Sequence, residues 1–143
     1  MLSFIVEDLP QPPVLILDIR DESWVHSAYT RLKAGHQMRQ LYDSIPAECP
    51  HPRVYGLSLL GTSLRVYVRD TNTGEIKPTN DPITGGVPHD LLEGAWDIDI
   101  LSKQGSDLMK EIVGEIVTTS ILSLEQESKA VDGGLSHLNH KRK

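Results

Sequence analysis

Residues 14–22, which read Val-Leu-Ile-Leu-Asp-Ile-Arg-Asp-Glu, decide how this chain folds. The run is continuously apolar up to Leu17, which is typical of a strand that is covered on both faces. Because side chains alternate along a strand, Asp18 and Arg20 then leave it on one face, two residues apart. A carboxylate beside a cation is the layout of a phosphodiester-cleaving metal site. The same pattern fits an ion pair or solvated charges at a strand end, so the sequence leaves both interpretations open.

The segments on either side of this strand predict a hairpin and a helix. Residues 2–8 are rich in aliphatic side chains, and three prolines between positions 10 and 13 separate them from the strand, so we expect an antiparallel hairpin. Apolar residues at nearly helical spacing then predict a long amphipathic helix from Trp24 to Ile45. Ser23 is available as its N-cap, and Pro46 ends it.

The middle of the chain predicts a second hairpin followed by a loop. Two apolar runs, 54–60 and 64–70, flank the turn residues Gly61-Thr62-Ser63. In the second run Leu64, Val66 and Val68 alternate as inward residues with outward Arg65, Tyr67 and Arg69. Residues 71–93 are polar and rich in proline and glycine, so we expect an extended loop there.

The last third predicts a short strand and a second helix. Alternation at Trp96, Ile98 and Ile100 indicates the strand. Apolar residues spaced by three and four positions from 108 to 124 predict the helix, with Ser106 and Asp107 as caps. We expect residues 125–143 to form a mobile, polar and basic tail. Together the elements predict one α/β or α+β domain over residues 1–124, in which a mixed sheet is flanked by two long helices.

Composition limits the classes of protein to which the chain can belong. It has 143 residues, and its 14 Lys and Arg against 20 Asp and Glu give a net charge of −6, which repels nucleic-acid backbones at long range. No stretch reaches the ~20 apolar residues of a membrane span, and the only cysteine, Cys49, cannot pair within the chain. We therefore expect a protein without a membrane anchor in a reducing compartment inside the cell, cytoplasmic or nuclear.

Three strings carry a resemblance to a known family: VLILDIRDESW at 14–24, QMRQLYD at 37–43 and YGLSLLGTSLRVY at 55–67. They resemble a group of basidiomycete (mushroom) proteins, which in turn resemble the restriction-endonuclease-like, or PD-(D/E)XK, nuclease superfamily. The likeness covers about residues 14–117. In that superfamily the core runs helix, three antiparallel strands, helix, strand, so the resemblance implies a core that lacks its first helix and first strand.

The resemblance also implies a set of site residues. Asp18 would be the carboxylate that binds Mg²⁺, Arg20 would stand where the family has lysine, and Gln37 on the following helix would be an accessory polar group. Asp8 is the candidate for a second metal carboxylate. DNA would be the substrate of such a magnesium-dependent site.

Two features of the sequence depart from that pattern. An arginine is always charged and broad, so it is a poor substitute for the compact lysine ammonium that contacts a nucleophilic water. A hairpin turn centred near Gln11 also places Phe4, not an acid, opposite Asp18, and leaves Asp8 roughly 10 Å along the ladder. A register slip or a bulge would be needed to bring Glu7 or Asp8 to Asp18.

Two functions remain as hypotheses. One is a magnesium-dependent nuclease that uses Asp18, Arg20 and Gln37 on DNA. The other, which we favour for the present-day protein, is a nuclease-like domain without catalysis that acts as an interaction or dimerisation module. Loss of the first helix and strand would uncover apolar sheet surface, and a protein partner or a second copy would cover it.

Overall fold

The computed structural model of this protein describes residues 2–7, 13–46, 49–79 and 85–141. The strands are β1 (Leu2–Glu7), β2 (Pro13–Arg20), β3 (Arg53–Leu60), β4 (Ser63–Asp70), β5 (Ile76–Lys77) and β6 (Ile98–Asp99). The helices are a short 3₁₀ helix (Glu22–His26), α1 (Ala28–Asp43) and α2 (Lys103–Lys141).

The strands form one mixed sheet in the order β1-β2-β3-β4-β5, and β6 also pairs with β4. Strands β2 and β3 are parallel, whereas the other pairs are antiparallel. Parallel neighbours need a crossover connection, and α1 lies within the connection between β2 and β3. The predicted α+β architecture, a mixed sheet with two long helices, is confirmed.

Helix α1 covers one face of the sheet. Its Met38 and Tyr42 pack in a buried cluster with residues of three strands: Ile16, Val54 and Tyr67. The hydroxyl of Tyr42 donates a hydrogen bond to the carbonyl of Val54 over 2.9 Å, which satisfies the polar end of this buried ring.

Helix α2 covers the opposite face. Its Ile112 packs with Leu57 and Leu59 of β3, and the flanking helix residues Leu108, Met109 and Ile116 join the same cluster. Residues of β2 at alternate positions, Leu15, Leu17 and Ile19, also lie there. Both faces of β2 are therefore covered, which explains why its sequence is apolar without alternation.

The first helix begins later than its apolar spacing predicts. Trp24 lies in the separate 3₁₀ helix, which Asp21 caps by accepting a hydrogen bond from the Ser23 amide over 2.8 Å. The same bond lowers the pKa of Asp21. Ser27 is extended and caps α1 proper, so the predicted N-cap at Ser23 is wrong. Two good capping residues six positions apart divide the segment into two helices.

The predicted outward face of β4 is also wrong. Tyr67 and Arg69 are buried, because α1 covers the side of the sheet on which they lie. The segment 71–93, predicted as a loop, contains the two-residue strand β5, and the strand predicted over 96–100 is reduced to Ile98–Asp99. Trp96 instead packs against Ala34 of α1 and Leu60.

Helix α2 is longer at both ends than predicted. It begins at Lys103, because the hydroxyl of Ser102 accepts a hydrogen bond from the Gly105 amide over 3.1 Å and caps the helix ahead of Ser106 and Asp107. It continues past Leu124 to Lys141. The backbone of 125–141 is thus helical, whereas the mobility expected for 125–143 stays a prediction.

The close approach of α1 to the sheet at Gly56 generates a stability prediction. A Cβ atom at this glycine would lie 2.7 Å from the Tyr42 hydroxyl and 2.8 Å from the Met38 sulfur, and both side chains are fully buried. Gly56→Ala should therefore lower the free energy of unfolding by about 1–3 kcal/mol, the usual cost of overpacking. The measurement is equilibrium unfolding in urea.

The matched control is Gly114→Ala in α2, where a Cβ atom meets nothing within 4 Å. It should raise the free energy of unfolding by about 0.5–1 kcal/mol, since alanine is the better helix former. A Gly56→Ala protein as stable as the wild type would show that α1 does not pack as closely as described.

Candidate functional site

Asp18 and Arg20 form an ion pair inside the protein. The Arg20 Nε atom lies 3.2 Å from Asp18 Oδ1 and 3.3 Å from Asp18 Oδ2. Asp18 is 0% exposed and Arg20 is 6% exposed. Of the two interpretations that the sequence leaves open, the geometry matches the ion pair, in a position that solvent does not reach.

The neighbours of Asp18 on both adjacent strands are serines. The register pairs Asp18 with Ser58 of the parallel strand β3 and with Ser3 of β1. The expected partner on β1, Phe4, is therefore wrong by one position. A hairpin centred at Gln11 would pair Pro13 with Leu9, whereas Pro13 pairs with Glu7, so the ladder differs from the prediction by two positions beside the turn. The irregularity between Val6 and Glu7 reduces the difference to one position at Asp18.

The second carboxylate that a metal site needs is not supplied by this register. Glu7 pairs with Pro13, five positions from Asp18, so the two residues are roughly 16 Å apart along the ladder. Asp8, the other candidate ligand, lies outside the described residues. Across 2–7, 13–46, 49–79 and 85–141 no three His, Cys, Asp or Glu side chains are grouped as metal ligands. One paired carboxylate between serines does not fit the oxygen-rich shell of Mg²⁺.

A row of polar side chains crosses the α1 face of the sheet. Asp18, Ser58 and Arg65 occupy matching register positions on β2, β3 and β4, so the row spans about 10 Å at the usual strand spacing. The indole Nε1 of Trp96 donates to the hydroxyl of Ser58 over 3.1 Å. We call Asp18, Arg20, Ser58 and Arg65 the polar row.

Aromatic rings hold both cations of the polar row. The Arg20 guanidinium lies 5.1 Å from the centroid of the Trp24 ring. The Arg65 guanidinium lies 5.2 Å from the Trp96 ring and 4.9 Å from the Tyr67 ring, and it also donates to the Tyr67 hydroxyl. Such cation–π contacts position a guanidinium without a second carboxylate. The side chains of the polar row thus hold one another and the neighbouring aromatic rings in place.

Arg31 connects three segments around α1. Its Nε and two terminal nitrogens donate to the carbonyls of Leu91, Val25 and His89 at 2.7–3.0 Å. Arg69 acts similarly at the other end of the helix, where it donates to the carbonyls of Tyr42 and Pro46. The hydrogen bonds of these two arginines connect both ends of α1 to the neighbouring segments.

Gln37 has one unsatisfied atom. It lies on α1 one turn after Ala34, which packs on Leu60 and Trp96. Its Oε1 atom is buried and accepts no hydrogen bond from the described residues. Among the predicted site residues that the structure describes, Gln37 is therefore the one with a buried atom that lacks a hydrogen bond.

Sequence reasoning missed Ser58, Arg65, Trp96 and Arg31 as members of this region. Ser58 could have been found, because it is the one polar residue in the apolar run 57–60. Arg31 lies three positions from both Ala28 and Ala34 and so shares their buried helix face. Arg65 gave no signal, because strand alternation alone does not tell which face a second layer will cover.

A separate set of contacts ties the start of β3 to α2. Arg53 forms an ion pair with Glu115, and the Tyr55 hydroxyl donates to the same carboxylate. Burial and this hydrogen bond raise the pKa of Tyr55 to about 12. The contacts hold α2 at one end of the sheet, away from the polar row.

Comparison of the chain with protein-family models, with curated proteins and with solved structures finds no match. In the part of the chain that the structure describes, no helix combines the length and apolarity needed to cross a membrane.

The buried ion pair generates a second stability prediction. Asp18→Ala should lower the free energy of unfolding by about 3–5 kcal/mol, because it leaves the Arg20 guanidinium buried without its carboxylate. The double variant Asp18→Leu with Arg20→Met should recover much of that loss, since an apolar pair removes the uncompensated charge. Urea unfolding measures both.

Asp97→Ala is the control, since this aspartate is exposed and should change stability by less than about 0.5 kcal/mol. If Asp18→Ala behaves like Asp97→Ala, Asp18 is not a buried, paired carboxylate.

The buried tyrosines generate a prediction for alkaline pH. Burial raises the pKa of Tyr42 and Tyr67 above the ordinary value near 10. The folded state thus keeps these phenols neutral while the unfolded state ionises, so their contribution is complete below about pH 10 and is lost as the pH rises further. The free energy of unfolding should therefore fall steeply from about pH 10 upwards.

Tyr42→Phe tests the cause. At pH 7 the variant should lose about 1 kcal/mol, the net value of the hydrogen bond to Val54. At about pH 11 the difference should disappear, because each pH unit above the unfolded pKa costs the wild type about 1.4 kcal/mol at Tyr42. Tyr29→Phe, at an exposed tyrosine, should follow the wild-type curve. A constant gap between Tyr42→Phe and the wild type would refute the role of this phenol.

Proposed function

We propose that this chain is a non-catalytic protein-interaction module on a restriction-endonuclease-like, PD-(D/E)XK scaffold. The topology supports the scaffold, because an antiparallel hairpin, a helix and a strand follow one another as β1, β2, α1 and β3. This is the order that the resemblance implies for the second half of the nuclease core. The motif strand of the resemblance, β2, lies in the interior of the sheet, as such a core requires.

The ion pair between Asp18 and Arg20 is the observation that supports a function without catalysis. A metal-dependent nuclease needs a carboxylate that can turn its oxygens toward an ion, a water and a phosphate. Asp18 is fully buried and both of its oxygens lie within 3.3 Å of the Arg20 Nε. The Arg20 guanidinium, in turn, lies over Trp24. Each group already has the partner that a substrate would have to displace.

Exposed apolar side chains on α2 support the interaction role. Val113, Val117 and Ile121 follow one another at intervals of four residues and are each about half exposed. Because residues four apart lie on the same side of a helix, the three form a continuous apolar row. Apolar side chains scattered singly are normal on a surface, whereas a row along one helix face is typical of a protein-binding surface.

The alternative function is magnesium-dependent hydrolysis of DNA phosphodiesters, with Asp18 as metal ligand, Arg20 as charge stabiliser and Gln37 as orienting group. A plasmid-nicking assay in Mg²⁺ and in Mn²⁺ separates the two functions. We expect no nicking above buffer from the wild type, from Asp18→Asn or from Asp97→Asn, because the polar row offers a metal no second carboxylate.

Circular dichroism on the same samples confirms that each variant is folded. Nicking by the wild type and by Asp97→Asn that is lost in folded Asp18→Asn would overturn the proposal in favour of the nuclease.

A further inference from the structure

We propose that the second half of α2 pairs with the same segment of a second copy of this chain in a parallel, two-stranded coiled coil. The proposal rests on the proposed function as an interaction module and names its partner. Helix α2 has 39 residues, which gives a length of about 58 Å. Among the residues whose side chains the structure describes, its apolar contacts with the sheet come from Leu108, Met109, Ile112 and Ile116, all in its first half. The segment from Val117 to Lys141 extends roughly another 37 Å.

The sequence of this second half has the heptad spacing of a coiled coil. Successive positions are separated by four, three, four, three, four and three residues: Val117, Ile121, Leu124, Ser128, Val131, Leu135 and Leu138. Six of these seven residues are apolar. An alternation of three and four keeps a seam on one side of a helix that winds around a partner, with Ile121, Ser128 and Leu135 at the a positions and the others at d.

The seam is not the face that packs on the sheet. Val117 follows Ile116 by one residue, so it is rotated by about 100° around the helix axis. The exposure agrees, because Ile116 is partly buried in the sheet cluster whereas Val117 and Ile121 are about half exposed. A partner helix can therefore reach Val117 and Ile121 without displacing α2 from the sheet.

A second copy in parallel register is the occupant that fits the seam best. Parallel pairing places each seam residue against its own counterpart, which gives six wholly apolar layers and one layer in which Ser128 faces serine. Antiparallel pairing layers a positions against d positions, so Ser128 would face an apolar d residue, Leu124 or Val131, in two layers. Because the parallel arrangement keeps polar with polar and apolar with apolar, the segment is most complementary to itself in that orientation.

The charges beside the seam give the proposed dimer a recognisable salt dependence. Glu127 lies at a g position and Asp132 at an e position, so parallel pairing brings Glu127 close to Asp132 of the partner subunit, twice per dimer. The repulsion of two like-charged pairs at the surface weakens the dimer only slightly compared with the stabilisation from seven core layers. Salt should therefore tighten the dimer, and Glu127→Lys should tighten it several-fold at low salt by making the pairs attractive.

Sedimentation velocity of the full chain from low to high micromolar concentration is the first test. We expect a monomer–dimer equilibrium whose dissociation constant rises roughly a hundredfold or more in Ile121→Asp, because a charge enters the core on both helices. Leu122→Asp is the matched control, since Leu122 is 54% exposed against 51% for Ile121 but lies beside the seam at a b position. It should dimerise like the wild type.

Oxidative cross-linking tests the orientation. In a Cys49→Ser background, Ser128→Cys should form a disulfide-linked dimer, because parallel pairing places the two thiols face to face, whereas Lys129→Cys at a b position should not.

Three results would overturn the proposal: a monomer at every concentration, a dimer that Ile121→Asp leaves intact, or a dimer that Ser128→Cys fails to cross-link. A monomer without nuclease activity would remove this inference and leave the proposed function intact, whereas Asp18-dependent nicking would remove the proposed function whatever the oligomeric state.

Discussion

The parallel pairing of β2 with β3 dictates how the other elements of this domain are arranged. It requires a crossover, which α1 provides, and it places β2 in the interior of the sheet with a helix over each face. Every side chain of β2 must then be apolar or be paired. Asp18 and Arg20 are the two exceptions to its apolar sequence, and they face the same helix two residues apart. Dehydration of both charges explains why they neutralise each other.

The polar residues under α1 organise the packing of the domain. Arg31 and Arg69 donate hydrogen bonds to backbone carbonyls around the two ends of α1. The Arg65 guanidinium lies between two aromatic rings. An arginine is well suited to this work, since its planar group combines several donors with a face that stacks on rings. The same property makes it unsuitable where the nuclease family uses a lysine. In the function that we propose, Asp18 and Arg20 are a structural pair.

Helix α2 presents apolar residues on two of its sides. Near its start it closes the sheet through Ile112, and Glu115 ties it to Arg53 and Tyr55. Farther along, the apolar positions rotate to another side of the helix, where the described sheet does not cover Val117 and Ile121. A helix that only covered this sheet would need neither the length beyond Ile116 nor apolar residues there. The length and the apolar spacing of α2 are the observations on which the proposed interaction function rests.

Local patterns in the sequence were sufficient for the elements with strong periodicity. The hairpin of β3 and β4 and the apolar stripe of α2 both follow from the spacing of apolar residues, which depends only on backbone geometry. The pairing of Asp18 with Arg20 was one of two interpretations that the spacing allowed. Their placement two residues apart on one face was already evident from strand alternation.

Periodicity along the chain predicts which residues share a face, whereas the packing of distant segments sets what each face contacts. Arg65, Tyr67 and Arg69 alternate as an exposed face would, yet α1 covers them. The register of the β1–β2 ladder places Ser3, not Phe4, opposite Asp18. The physical reason is that periodicity comes from the chain's own geometry, whereas burial and register depend on segments distant in sequence that pack against it.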